Sequence, residues 1–321
     1  MKTTLIGIAA LFLALLGLCV GEVFYTPTEV AATLAGQTVP GASFTVLELR
    51  LPRVLLGALV GIALGAAGCT LQTLLRNKLA SPDIIGVSSA ASVAGVMGIV
   101  LLGLTPWQTS VLSFFGSLAV CAGMFALAAK GGFSPVRLIL IGIGVAAISR
   151  AAVTYVLSIA AAHDLPAATR WLNGSLGSAN LGDSLPVAIA VLVCLPVLIA
   201  CTHHLDLLRF GETTAISLGS PVNLVRVLSL LAAVALVATA TAACGPVAFV
   251  AFLAGPIAAG ICGPGRPRIL AAAFVGASLM LLADLIGQYA LPSRLPVGVV
   301  TGAIGAPYLL YLLVRHRGEL V

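Results

Sequence analysis

Apolar residues along this chain come in long runs, separated by short links rich in charge, proline or glycine. A helix needs about 20 apolar residues to cross a hydrocarbon core of about 30 Å, and in lipid a helix satisfies its own backbone. The pattern predicts ten such helices. They lie near Thr4–Gly21, Val54–Leu75, Ile84–Gly103, Gln108–Ala129, Leu138–Ala161, Leu185–Cys201, Val227–Cys244, Phe249–Cys262, Ile269–Gln288 and Val297–Val314. The eighth run is short and is expected to break at Gly255-Pro256. The fold class is therefore an all-α polytopic membrane protein, with residues 1–321 as a single transmembrane domain. The first run follows Lys2 and resembles a secretory signal. Its apolar stretch is too long for one and lacks a small-residue cleavage site, and Leu18 before Cys19 does not suit lipoprotein processing, so it reads as the first span.

Two links exceed what connection requires. Glu22–Leu49 contains Pro27 and Pro40, and His163–Ser184 contains Trp171 and several glycines. Segments of this size receive a partner, cover a cavity or remain inert loops. Within the second run, Gly57, Gly61 and Gly65 recur every four residues and are followed by Gly68. That spacing sets small residues on one helix face, where a neighbouring backbone approaches closely, and it places this helix in the middle of the bundle.

Composition agrees with a lipid environment: 60% of the 321 residues are hydrophobic, 8% are charged and the mean hydropathy is +1.17. The net charge of +6 does not point to nucleic acid, because the basic residues sit in links between apolar runs. With the N-terminus inside, eleven of the sixteen Lys and Arg residues fall on or beside cytoplasmic links, and both termini are cytoplasmic. The other five are Arg50, Arg53, Arg150, Arg170 and Arg294. The seven cysteines are scattered without metal or redox spacing and read as small buried hydrophobes. No metal site is expected, since the adjacent His203 and His204 point in different directions on a helix.

From Leu49 the chain reads LRLPRVLLGALVGIALGAAGCTLQTLLRNKLASPDIIGVSSAASV. This resembles the FecCD family of permeases, whose members import cobalamin, haem and ferric siderophores. The resemblance returns at Gly211–Gly219 (GETTAISLG), at Cys244–Phe249 (CGPVAF), at Ala283-Asp284 and at Leu295–Pro307 (LPVGVVTGAIGAP), so it covers essentially the whole chain. It implies the permease subunit of an ABC importer in the bacterial cytoplasmic membrane. The implied partners are a second permease subunit, identical or related, two cytoplasmic ABC ATPases that bind ATP and Mg, and an extracytoplasmic substrate-binding protein. No cofactor is implied for this chain itself. A ferric siderophore is the expected cargo, because the tail GAPYLLYLLVR and the departures near Gly255 are similar to siderophore members, while haem and cobalamin permeases share most of the rest.

Site residues carry over where they match. Arg50 and Arg53, with Pro52 suited to a first helical turn, occupy the family's docking positions for acidic residues of the binding protein, the alternative being interfacial anchoring. The third docking position is Gln288 here, and Arg294 on the same link either replaces it or pairs with Asp284, which lacks the family's arginine one turn on. Asn77 and Leu79 match the cytoplasmic gate turn, with Lys78 in place of the usual proline, and Ser134, Pro135 and Val136 match the second link that narrows the exit. Glu212–Gly219, preceded by Gly211 and containing Leu218, matches the segment that rests on the ATPase, within a coupling region of about 207–226. Arg150 lies in the outer half of the fifth run and lines the substrate pathway, pairs with Asp284 or Asp164, or snorkels.

Catalysis has no visible apparatus. The three lysines, Lys2, Lys78 and Lys130, lie outside any phosphate-binding loop, so ATP hydrolysis is expected from another polypeptide. An ion-coupled secondary transporter is the rival reading, and it is weakened because Asp284 is the only acidic residue deep in a run.

Overall fold

The computed structural model describes residues 1–77, 80–129, 135–263, 268–290 and 292–315. Their regular elements are helical, and each of the ten apolar runs holds a helix. In chain order these are α1 (Lys2–Cys19), the short α2 (Pro27–Leu34), α3 (Ala42–Leu74), the single-turn α4 (Pro82–Ile85), α5 (Val87–Val100), α6 (Pro106–Ala129) and α7 (Pro135–Ser158). They continue with α8 (Leu165–Leu172), α9 (Leu181–Leu208), α10 (Glu212–Ser217), α11 (Val222–Cys244), α12 (Val250–Cys262), α13 (Ile269–Tyr289) and α14 (Val297–Arg315). Of these, α1, α3, α6, α7, α9, α11 and α13 are long and apolar enough to cross a membrane, and α5, α12 and α14 are shorter apolar helices.

Helix α3 is the hub, with α1, α9, α11, α12 and α13 packed around it. Its apolar window is 78% buried, against 22% in α1 and 17% in α9, whose outer sides are belts of exposed leucine, isoleucine and valine. Lipid is as apolar as leucine, so helices in a bilayer gain nothing from burying leucine and associate through close backbone approach. The glycines of α3 supply it. A methyl group on Gly61 would lie 2.5 Å from the Gly276 carbonyl oxygen and 2.6 Å from the Ala277 Cα. One on Gly65 would strike the Ala272 carbonyl, and one on Gly276 would strike the Gly61 carbonyl, so the α3–α13 seam is reciprocal. Gly68 continues the stripe onto the Ala251 carbonyl of α12, while Gly57 meets only the Leu176 and Leu281 side chains and that of Met280.

Three elements differ from the sequence expectation. Helix α3 begins well before Val54, through a π-helical turn over Thr45–Arg50. Helix α9 runs from 181 to 208 instead of 185 to 201, started by an Asn180–Asp183 capping box and continued inside by the buried Leu205 and Leu208. Its 28 residues reach about 42 Å, beyond a core of about 30 Å, so its polar end stands clear of the apolar zone.

The third difference is a correction: α12 does not break at Gly255-Pro256 but passes through it. Pro256 has no N–H to give the Phe252 carbonyl four residues earlier, and Gln72 Nε2 of α3 donates to that oxygen instead, at 2.9 Å. The break lies upstream, where Gly245 (φ 79°) and Phe249 (φ 65°) turn the chain between α11 and α12. This non-helical stretch is enclosed by protein: Ser175 N–H donates to the Cys244 carbonyl at 2.8 Å, and Gly298 N–H to the neighbouring Gly174 carbonyl at 3.2 Å.

Gly61→Ala should therefore part α3 from α13 at a cost of about 1–3 kcal/mol. Thermal melting of the detergent-solubilised protein checks this, with Gly123→Ala, where nothing lies within 4 Å, expected to melt like the parent.

Candidate functional site

Residues at opposite ends of the bundle carry the functional expectations. At the end where α1 finishes, the π-turn lowers Arg50 into the protein, where it is only 8% exposed. Its Nη1 donates to the Leu18 and Cys19 carbonyls at 2.8 and 2.9 Å, and its Nη2 to the Val23 carbonyl at 2.6 Å. The guanidinium also lies 5.0 Å from the Tyr25 ring centroid, and Gly21 has no side chain to obstruct it. Carbonyls at the end of a helix lack partners within it, and Arg50 supplies them for α1. Arg50, expected from the sequence at a docking position, is thus buried and occupied internally.

Arg53, one turn into the straight part of α3, reaches Asp284 of α13 fork to fork. Nη2 lies 2.8 Å from Oδ1, and Nε lies 2.9 Å from Oδ2 and 3.1 Å from Oδ1. Gln288, one turn along α13, donates to Oδ2 at 2.7 Å. Asp284 thus exchanges a helical neighbour of opposite charge for a neutral donor on its own helix and a cation across the seam. Its side chain is 7% exposed, and the paired, hydrogen-bonded setting is what makes such burial of a carboxylate tolerable.

Arg53 and Asp284 line a cavity of 720 Å³ between the ends of α1, α3 and α13 and the 176–180 link. Glu22, Glu48, Arg50 and Arg294 complete its charges, leaving three acidic and three basic groups in balance. Arg294 does not pair with Asp284; it pairs with Glu22 at the rim, both side chains mostly exposed. Arg150 lies exposed on α7, distant in partnership from both proposed acids: Asp284 is held by Arg53 and Gln288, and Asp164 lies 3.5 Å from His163.

At the end where α1 begins, α3 stops in a Schellman motif, with Arg76 N–H on Thr73 O at 3.2 Å and Asn77 N–H on Gln72 O at 3.0 Å. Arg76 takes the left-handed position (φ 51°) that glycine usually fills. Ala80 N–H donates to Asn77 O at 3.0 Å, and the chain enters α4, which packs on α7. Leu79 and Ser134, like Lys78, lie outside the described residues; Pro135 opens α7, and Val136 beside it is exposed.

On the same end, Gly211 (φ 118°) and Gly219 (φ 79°) bracket α10, and a second Schellman motif closes it, with Gly219 N–H on Ile216 O and Ser220 N–H on Ala215 O. Glu212 pairs with Arg226 of α11 at 3.1 Å, and Ser220 lies 3.1 Å from His204 Nδ1 of α9. The element is thereby tied on both flanks, while Phe210, Ile216 and Leu218 stand 73%, 58% and 61% exposed. An apolar group of this kind at a polar end of the bundle suits contact with another protein.

Partnerships that escaped sequence reasoning include Arg53 with Asp284, Arg294 with Glu22, and Gln72 with the Phe252 carbonyl. For the last a signal exists, namely a lone glutamine within an apolar run and a proline within another.

The model of the FecCD transport family matches residues 9–315. The achromobactin transport system permease protein of Dickeya dadantii (strain 3937) is 37% identical over 317 residues, covering 98% of this chain and 90% of its own. The ferric enterobactin transport system permease protein of Escherichia coli (strain K12) is 38% identical over 304 residues, covering 94% and 91%. A solved structure described as an inward-facing, metal-chelate type ABC transporter superposes with a TM-score of 0.84 at 26% identity, covering 98% of both chains.

If the Arg53–Asp284 bridge holds α3 against α13, Arg53→Gln should lower stability by about 3 kcal/mol, the low end for breaking a buried pair because the cavity is open to water. Adding Asp284→Asn should restore most of the loss, and thermal melting of the single and double variants measures both.

Proposed function

The chain belongs to the FecCD transport family, and on that premise we propose that it is the permease subunit of an ABC importer carrying a ferric siderophore across a bacterial cytoplasmic membrane. The observation that carries this reading is the match along nearly the whole chain to permeases named for achromobactin and ferric enterobactin transport. In this reading the ten apolar helices cross the bilayer with both termini cytoplasmic, and the fold is one permease domain. A second permease subunit, identical or related, completes the pathway. Two cytoplasmic ATPases bind ATP and Mg and do the hydrolysis.

The part this chain plays is mechanical. The tied helix α10, with the coupling region around it at about 207–226, offers Phe210, Ile216 and Leu218 to an ATPase, and its attachment to α9 and α11 passes ATPase motion into the bundle. Asn77 and Leu79, with Ser134, Pro135 and Val136, form the cytoplasmic gate, and Arg150 faces the pathway. The binding protein docks at the far end on Arg294, while Arg53 belongs to the cavity behind it and Arg50 keeps the face in shape.

Uptake of ferric enterobactin or ferric citrate into proteoliposomes, with and without the ATPase and binding protein, tests the reading; uptake that persists without the ATPase would overturn it in favour of ion coupling. Leu218→Asp should leave ATP hydrolysis running while uptake fails. Arg294→Glu should weaken binding-protein affinity, most strongly at low salt, since exposed charges are screened over about 8 Å at physiological ionic strength. Affinity equal to the parent across a salt series would remove Arg294 from docking.

A further inference from the structure

Pro256 deprives the Phe252 carbonyl of its helical donor, and the replacement comes from a different helix. Gln72 of α3 is 9% exposed, and its Nε2 lies 2.9 Å from that oxygen. Room for the side chain exists because residue 255 is glycine: a methyl group there would strike Gln72 Oε1. One turn earlier the same two helices meet at Gly68 and the Ala251 carbonyl. Gln72 has a second attachment, since its backbone carbonyl accepts the Asn77 N–H at 3.0 Å and so anchors the turn that leaves α3.

We propose that Gln72 is a positioning residue for transport: its carboxamide serves as the donor missing from α12 and fixes that helix to the turn at Asn77. The functional half rests on the importer reading, in which that turn belongs to the cytoplasmic gate. α12 and the turn then move as one body, because a single residue holds one through its side chain and the other through its backbone. A carbonyl left without a donor inside the bundle is costly, so the joint resists parting.

The experiment is a double-mutant cycle between Gln72 and Pro256. Gln72→Met keeps length and volume but cannot donate, and Pro256→Ala returns an N–H to the Phe252 carbonyl from within α12. Gln72→Met should lower the melting midpoint by about 2–4 °C, as loss of one buried hydrogen bond would. It should also reduce substrate moved per ATP hydrolysed by about tenfold, the equilibrium weight of one net hydrogen bond. Pro256→Ala alone should match the parent in melting. The double variant should recover the melting midpoint, because the carbonyl is again satisfied, yet remain poor in transport, because α12 is no longer fastened to α3. Should Gln72→Met fail to fold, recovery of folded yield in the double variant takes the place of melting.

A Gln72→Met protein that melts like the parent, or a melting loss that persists undiminished in the double variant, overturns the bond. Melting that follows the cycle with transport per ATP unchanged makes Gln72 structural only and overturns the positioning role. A parent without ATP-dependent uptake overturns the importer reading and the positioning role together, and the melting cycle then judges the bond by itself.

Discussion

Backbone-to-backbone contact along α3 is the constraint on which the rest of the structure depends. Gly61, Gly65 and Gly276 bring two helices together at a distance that leaves no space for a methyl group, and Gly68 does the same for α12. In lipid, close packing has to do what the hydrophobic effect does in water. Once α13 and α12 lie directly against α3, the placement of the remaining helices is restricted, and polar side chains at the ends of the seam come within reach of partners more than two hundred residues away, as Arg53 does with Asp284.

Intimacy of this kind creates a second demand. Where a helix ends or loses a donor inside the bundle, water cannot answer, and side chains take the part of the absent backbone. Arg50 does so for the last carbonyls of α1, and Gln72 for the Phe252 carbonyl. Each is held by an obligation to the backbone as well as by packing.

Apolar helices were legible in the sequence because apolar length is a one-dimensional property, and the glycine spacing announced which helix stands in the middle. The short helix between Gly211 and Gly219 was legible too, since the two glycines mark its ends. Partnerships were not. Nothing near Asp284 in sequence indicates Arg53, and local rules directed attention to Gln288 and Arg294. The break in α12 was misplaced because a proline inside a helix often ends it, whereas here the helix continues and the three-dimensional neighbour Gln72 supplies the donor that Pro256 removes. The π-turn within the first part of α3 was invisible because one surplus residue per turn leaves no mark on an apolar pattern.

The glycine seam also determines where the protein can be altered. Every substitution at Gly61, Gly65 or Gly276 adds atoms against a close-lying backbone, whereas the exposed faces of α1 and α9 carry leucine, isoleucine and valine that pack little against the rest of the chain. Stabilised versions for biophysical work, labels for spectroscopy and fusion partners therefore belong on the periphery, and a library spread evenly along the chain would lose most of its folded members in a few turns of two helices.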